Sequence, residues 1–457
     1  MKITINNFGP IREFKFDMTK NISMIYGKNN IGKSYAITAI YLLLKSFPRI
    51  KQESVLIMIF EKYFSKYWDA GCSDLMAKMV INYKDNPQEN SDKIIKSIQN
   101  TINEILEDWI VIGFFRLLES SYGNIESLKN RYSSEDFSIF VENDEFSFKI
   151  SCNQINSKTR ISVVLSPISH SIIVNKLLNG EEIQKVLFEI VDKIFTNFRN
   201  NNLAQYFIPA VRSGYYLGTS SFTNTLAQIN QFRSELSSDT FKMPKVTVPV
   251  SDFILELSNL SQASNYNAPG YLELVKSMES NILEGSVIFH AEMGKLLYKS
   301  AVLNESYDLS VVSSMVAEIS LIAGYLKFVV NDIIIEKNPY GITSTFNQPP
   351  LIFIEEPEAH LHPEVQVKLI EYFVELAKLG VKIIITTHSD YMLSKLSNIL
   401  LAKGIAPTKV GSYLLNMTEK GSVLDPDIMS ATSNGIEDHI FLDTADNLYR
   451  EKLRILG

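Results

Sequence analysis

Eight residues, Gly27 to Ser34 (GKNNIGKS), constrain this chain more than any other feature. They fit the pattern G-x-x-x-x-G-K-[ST], a loop whose backbone N–H groups wrap a phosphate. Glycines let the main chain come close to the anion. Lys33 supplies a cation for the β- and γ-phosphates, and the Ser34 hydroxyl supplies a ligand for Mg²⁺. The context agrees. Residues 22–26 (ISMIY) are short, apolar and β-prone, and Lys33 to Leu44 carries a helical apolar face. The phosphate would then meet the unpaired N–H groups and partial positive charge of a helix N-terminus. The expected nucleotide-binding residues are Gly27, Lys28, Asn29, Asn30, Ile31, Gly32, Lys33, Ser34 and Tyr35, with ATP and Mg²⁺ as cofactors.

A phosphate–metal site needs carboxylates from elsewhere, and Leu351 to Glu356 (LIFIEE) offers two. Its nearly continuous apolar character is that of a central parallel strand. As a Walker B strand it places Glu355 on the Mg²⁺, directly or through water, and makes Glu356 the general base on the attacking water. Taken alone, the pair also reads as an acidic strand end facing solvent; the loop at 27–34 argues against that. A third strand, VKIIITTHS at 381–389, delivers His388 to its C-terminal end, where ligands sit in parallel α/β sheets. His388 is expected to meet the γ-phosphate or the attacking water, the plainer alternative being a satisfied loop histidine. In PEAHLHP (357–363), His360 and His362 with Glu358 and Glu364 admit a metal-ligand reading.

The rest of the chain bounds the answer. With 457 residues it is long enough for two or three lobes around a large core. No apolar run approaches the roughly 18–20 residues that span a bilayer, and MKITINNFGPI lacks the pattern of a signal peptide. The expected location is the cytoplasm, with no membrane partner. Cys72 and Cys152 stand in no CxxC pair, which argues against a cysteine zinc site or a disulfide framework. A net charge of -7 argues against a wholly nucleic-acid-binding surface and leaves room for a local basic patch. Periodicity predicts helices over much of 47–130, a small antiparallel sheet over 137–165, and a helix at 181–199. It further predicts a strand at 204–210, a polar, mobile or partner-facing stretch at 218–235, and loop or edge strand at 243–249. Helices are predicted at 252–262 and 269–283, a β stretch at 285–303, then helices from near Ser314 to about Val330 and at 363–379. The tail reads as a strand from Ser412, a turn at Glu419-Lys420-Gly421, and a helix near 440–455.

Together these motifs resemble the ABC-type ATPase heads of the RecF and SMC group. ITINNFGPI, a strand and GKNNIGKS are similar to their opening. IEEPEAHLHP and TTHSD are closer to one branch, the overcoming-lysogeny-like ATPases of prokaryotic defence systems, in which Glu often stands at the Walker B Asp position. The likeness is strong over residues 1–45 and about 300–400 and weak between. It implies an α/β P-loop NTPase of the ABC-ATPase head type with a helical plus small β insertion. Residues 1–45 and 311–400 would be the two parts of the head. A helical insertion would fill 46–135, a β-rich part of the first lobe 136–217, a mixed insertion 218–310, and a strand–helix tail 401–457. PEAHLHP stands where related ATPases carry a subunit-contacting loop.

Such heads use a signature motif that reaches the γ-phosphate of the opposite subunit. Asp308 to Met315 (DLSVVSSM) is the counterpart here, with Ser313 and Ser314 as the phosphate donors and Met315 in place of the usual glycine. A simple N-cap serine, with Glu318 nearby, is the alternative and is compatible with that role. FIPAVRSG (207–214) resembles a segment of the same ATPases, and Arg212 is left between the nucleotide, the subunit interface and a plain turn. There is no long coiled-coil arm and no CxxC for a zinc hook. Asp425, Asp427, Glu437, Asp438 and Asp443 are too scattered for the metal nuclease site of a C-terminal TOPRIM domain. The resemblance therefore implies an ATP-hydrolysing homodimer or higher homo-oligomer that switches a separate effector protein, a nuclease, in anti-phage defence, as the ATPase subunits of PARIS and Septu do. DNA or a phage protein would be the trigger. The alternatives are a RecF-like DNA-binding repair ATPase and a scaffold that holds ATP with very slow turnover.

Overall fold

The structure is a computed structural model. It describes residues 1–46, 112–133, 135–143, 146–152, 159–165, 204–218, 246–260, 268–330, 333–337, 343–347, 349–425, 431–436 and 449–455, with a few positions between 96 and 107 and between 175 and 190. All but the first residue of the predicted stretch at 218–235, most of the helix at 181–199 and the helical pattern of 47–95 lie outside the described residues.

Sixteen strands are described, in chain order β1 (Lys2–Phe8), β2 (Ile11–Asp17), β3 (Ile22–Tyr26), β4 (Ser138–Glu142), β5 (Phe146–Cys152), β6 (Thr159–Leu165), β7 (Ala204–Ile208), β8 (Gly285–His290), β9 (Lys295–Ser300), β10 (Ser306–Asp308), β11 (Ile333–Lys337), β12 (Thr343–Asn347), β13 (Pro350–Glu355), β14 (Lys382–Thr387), β15 (Val410–Thr418) and β16 (Gly421–Leu424). Helices described in full are α1 (Lys33–Ser46), α2 (Ile112–Tyr122), α3 (Val248–Ser258), α4 (Tyr271–Met278), α5 (Ser314–Phe328), α6 (Pro363–Lys378) and α7 (Asp390–Leu401). Eleven strands form one sheet in the order β6-β5-β4-β1-β2-β16-β15-β3-β14-β13-β7. One end, β15-β3-β14-β13-β7, is wholly parallel. The other, β6-β5-β4-β1-β2, is wholly antiparallel. The chain is therefore an α/β fold with a mixed sheet.

Side-chain patterns account for the division. β1 alternates, with Ile3 and Ile5 fully buried between half-exposed polar residues, as an antiparallel strand with one wet face does. β3 and the apolar part of β13 are buried on both faces. In β13, Leu351 and Phe353 join one core layer beneath α1, while Ile352 and Ile354 join the layer beneath α5 and α6. The Phe353 ring meets Tyr41 of α1 edge-on at 5.4 Å and stacks on Phe207 of β7 at 6.2 Å.

Two predicted elements take a different form. The period-two strands at 137–165 are antiparallel but do not stand alone: β4 pairs with β1 and so continues the main sheet. The outer edge of β1 would otherwise expose a row of unpaired backbone groups. The helix expected at 252–262 begins earlier, at Val248, because Pro249 sits in its first turn, where a missing N–H costs nothing. No helix among the described residues is long and apolar enough to cross a membrane.

Phe353→Ala should lower unfolding free energy by about 3–5 kcal/mol, since a buried ring between two aromatic neighbours leaves a cavity that cannot collapse. Urea unfolding checks this, and a loss below about 1 kcal/mol would contradict the central place assigned to β13.

Candidate functional site

Four adjacent parallel strands, β3, β14, β13 and β7, end at the same edge of the sheet. The register aligns Thr387 with Tyr26, Glu355 with Thr386, and Ile354 with Ile208. Their C-terminal loops therefore converge: Gly27 succeeds β3, His388 succeeds β14, Glu356 succeeds β13, and Pro209 to Arg212 succeed β7.

The loop at 27–34 is shaped by residues that only glycine can replace without strain. Gly27 has φ +133°, and an added Cβ would lie 2.5 Å from the Leu415 carbonyl oxygen and 2.6 Å from Ile31. Gly32, at φ +99°, is pressed by Pro10 and Ile11 of the β1–β2 turn, each 2.8 Å from such a Cβ. Ile31 is the loop's buried anchor, while Lys28, Asn29 and Asn30 face solvent. Asn30 adopts φ 63°, which asparagine tolerates better than most residues. Tyr35 turns away from the loop. Its ring stacks on Tyr122 of α2 at 5.4 Å and meets Phe8 edge-on at 6.0 Å, so its side chain belongs to the core and only its backbone faces the loop.

Lys33 is 5% exposed. Its ammonium donates to the Gly27 and Lys28 carbonyls at 3.0 and 2.9 Å and approaches His388 Nδ1 at 3.4 Å. Burial pushes its pKa down to about 8, against the pull of Glu356 and Glu358. The carbonyls hold this ammonium across the mouth of the loop, where an anion would offer it stronger partners.

Glu355 is half-buried at the strand end. Burial raises its pKa, opposed by hydrogen bonds from the Ser34 hydroxyl and the Ala210 backbone. Ser34 and Glu355 thus already touch, and two hard oxygen donors are the chemistry that Mg²⁺ selects. The residues present fit the metal that the loop implies.

Glu356 and His388 form the third part. His388 Nε2 lies 3.5 Å from Glu356 Oε1. Burial, then the charge of Lys33, depress the His388 pKa, with Glu356 acting the other way. The imidazole is neutral at neutral pH as a result. Glu356 has φ +41°, a left-handed conformation costly for a residue with a Cβ. Its N–H donates to the Thr386 carbonyl at 2.9 Å, which ties the turn to β14.

Some sequence readings resolve differently. Glu358 does not gather with the histidines: it accepts from the His388 backbone N–H at 2.6 Å, and burial raises its pKa. His362 caps α6, accepting from Glu364 N at 3.4 Å. Among the described residues no cluster of His, Cys, Asp or Glu could hold a metal on its own. Ser313 is the N-cap of α5, accepting from Val316 N at 3.4 Å, and Ser314 is the first helical residue; both are exposed. Neither hydrogen-bonds the loop, Glu355, Glu356 or His388 within one chain.

Arg212 is the residue for which sequence reasoning found no role. It is fully buried, and its Nε lies 2.7 Å from Glu318 Oε2 on α5. The usable signal was its place just after an apolar strand, at the edge where ligands bind.

The model of the AAA ATPase domain family matches residues 1–393. No curated protein is significantly similar. Among solved structures, the SMC head domain from Thermotoga maritima is 11% identical, with 93% of this chain and 97% of that chain covered at a TM-score of 0.37. The Smc head domain with an extended coiled coil, bound to the C-terminal domain of ScpA derived from Pyrococcus furiosus, is also 11% identical, with 98% of each covered at 0.38. A likeness at these scores adds nothing further about this chain. The family match spans the loop, both glutamates and His388, and so the chain belongs to the AAA ATPase domain family.

Proposed function

We propose that this protein binds ATP with Mg²⁺ at the edge of its parallel strands and hydrolyses it. The observation that carries this reading is the convergence of Lys33, the Ser34–Glu355 contact and the Glu356–His388 pair on that one edge. The loop amides and Lys33 hold the phosphates. Ser34 and Glu355 would hold Mg²⁺, whose charge neutralises the phosphate oxygens during transfer. Glu356 takes the proton of the attacking water, and neutral His388 orients that water or the γ-phosphate.

The working unit in this reading is a homodimer or higher homo-oligomer. Its support is that Ser313 and Ser314 are exposed at the N-terminus of a 15-residue helix, whose positive end suits a phosphate held by another subunit. ATP would close the interface and hydrolysis would reopen it, a switch driven by γ-phosphate contacts. We place this switch upstream of a separate nuclease in anti-phage defence. That assignment rests on the resemblance of IEEPEAHLHP and TTHSD to defence ATPases, and capture of a nuclease by the tagged protein in its native host tests it.

Lys33→Ala should weaken ATP binding on the order of 100-fold, about 2.7 kcal/mol; calorimetric titration showing unchanged affinity would overturn the phosphate site. Glu356→Gln should cut turnover by roughly 10²–10⁴-fold while ATP still binds. It should also accumulate a larger ATP-dependent species in sizing chromatography. Equal turnover by wild type and variant would remove Glu356 from the chemistry. The depressed pKa of Lys33 sets a third expectation. Its charge is present below about pH 8 and lost above it, so ATP affinity should weaken about tenfold between about pH 7 and about pH 9. Affinity that stays flat across this window would contradict a gripping role for that ammonium.

A further inference from the structure

We infer that Arg212 is a positioning residue for hydrolysis: its guanidinium holds the carbonyls of the Glu355–Pro357 turn and, through Glu318, ties that turn to α5. The inference rests on the ATPase reading above and names a residue that reading does not use.

The geometry separates two jobs of one side chain. Arg212 Nη2 donates to the Pro357 carbonyl at 3.2 Å, and Nη1 reaches the carbonyls of Pro209, Glu355 and Glu356 at 3.4 Å each. The three carbonyls of Glu355, Glu356 and Pro357 belong to the turn that carries the Mg²⁺ ligand and the general base of the proposed reaction. The third nitrogen, Nε, pairs with Glu318 Oε2 at 2.7 Å, and the other Glu318 oxygen accepts from the Ser213 hydroxyl at 2.5 Å. Both members of the ion pair are buried, with side-chain exposures of 0% and 2%. A planar fork of five donors can serve a carboxylate and several carbonyls at once, which an ammonium cannot.

The turn needs such a hold. Glu356 sits at φ +41°, and a residue with a Cβ stays there only when its surroundings over-determine it. The Thr386 carbonyl secures its N–H from the β14 side. Arg212 secures the carbonyls from the β7 side. A relaxed turn would swing the Glu356 carboxylate away from His388, while the backbone of the phosphate loop keeps the shape that Gly27 and Gly32 set on the far side of β14. Glu318 extends the hold to α5, five residues beyond the N-cap Ser313, and so links the catalytic turn to the helix end that would meet another subunit.

Paired substitution separates this role from plain stability, because an apolar pair of similar volume often replaces a buried ion pair without loss. The test compares wild type, Arg212→Met/Glu318→Met and Arg212→Lys for fluorescent ATP-analogue binding, kcat, KM and amide exchange over 355–360. Folded variants are expected to bind the analogue within about threefold of wild type, to lose kcat by about 100-fold with KM nearly unchanged, and to exchange the turn amides at least about tenfold faster. If the double variant does not fold, Arg212→Lys, which keeps the charge and loses the fork, is judged by the same criteria. A folded variant with wild-type kcat, or with unchanged exchange at the turn, overturns the inference. Wild type and Glu356→Gln run alongside keep the two readings distinguishable: equal turnover there sinks the ATPase reading itself, whatever Arg212 does.

Discussion

A buried ammonium has to be answered by nearby negative charge and carbonyl oxygens, and the site at the sheet edge is organised around that requirement. Lys33 is sequestered beneath its own loop, bonded to two backbone carbonyls and drawn by Glu356 and Glu358. The glutamates reach it only because β13 and β3 both run parallel to β14 and stop in register with it. The strand order β3-β14-β13-β7 is therefore a condition of the electrostatics. Moving any one of these strands by a residue would reverse which side chains face the core and strand the ammonium.

The carboxylates divide the remaining work by environment. Glu355 is half-buried beside Ser34 and raised in pKa by its loss of solvent, an arrangement that a metal cation would relieve. Glu356 is more open, faces a neutral histidine and sits on a strained turn. Glu358 faces backward and fixes the His388 backbone. Three glutamates within four residues thus occupy three unlike settings, and only the middle one has both access to water and a partner that can share a proton.

Much of this was legible in the chain itself. GKNNIGKS announced its loop because the constraint there is local: glycines at left-handed backbone positions, then a cation and a hydroxyl at the start of a helix. LIFIEE and VKIIITTHS announced buried parallel strands because both faces are apolar. What could not be read was long-range. Nothing near Arg212 in sequence points to Glu318, over a hundred residues away, or to the carbonyls after β13. The orientation of Tyr35, towards Tyr122, depended on where α2 lands. The union of β4 with β1 depended on which strand covers an open edge, and alternation cannot specify a partner. Ser313 is an N-cap in the single chain, as its sequence allowed, and any phosphate contact belongs to an assembly.

The central claim is that Ser34 and Glu355 serve one Mg²⁺-dependent ATP site. A double-mutant cycle on ATP affinity, with Ser34→Ala, Glu355→Gln and both together, tests it most directly, each measured with Mg²⁺ and with chelator. The account predicts that each single variant loses most of the Mg²⁺-dependent part of the affinity and that the double loses little more, with the differences vanishing in chelator. Strictly additive losses that persist without metal would contradict it.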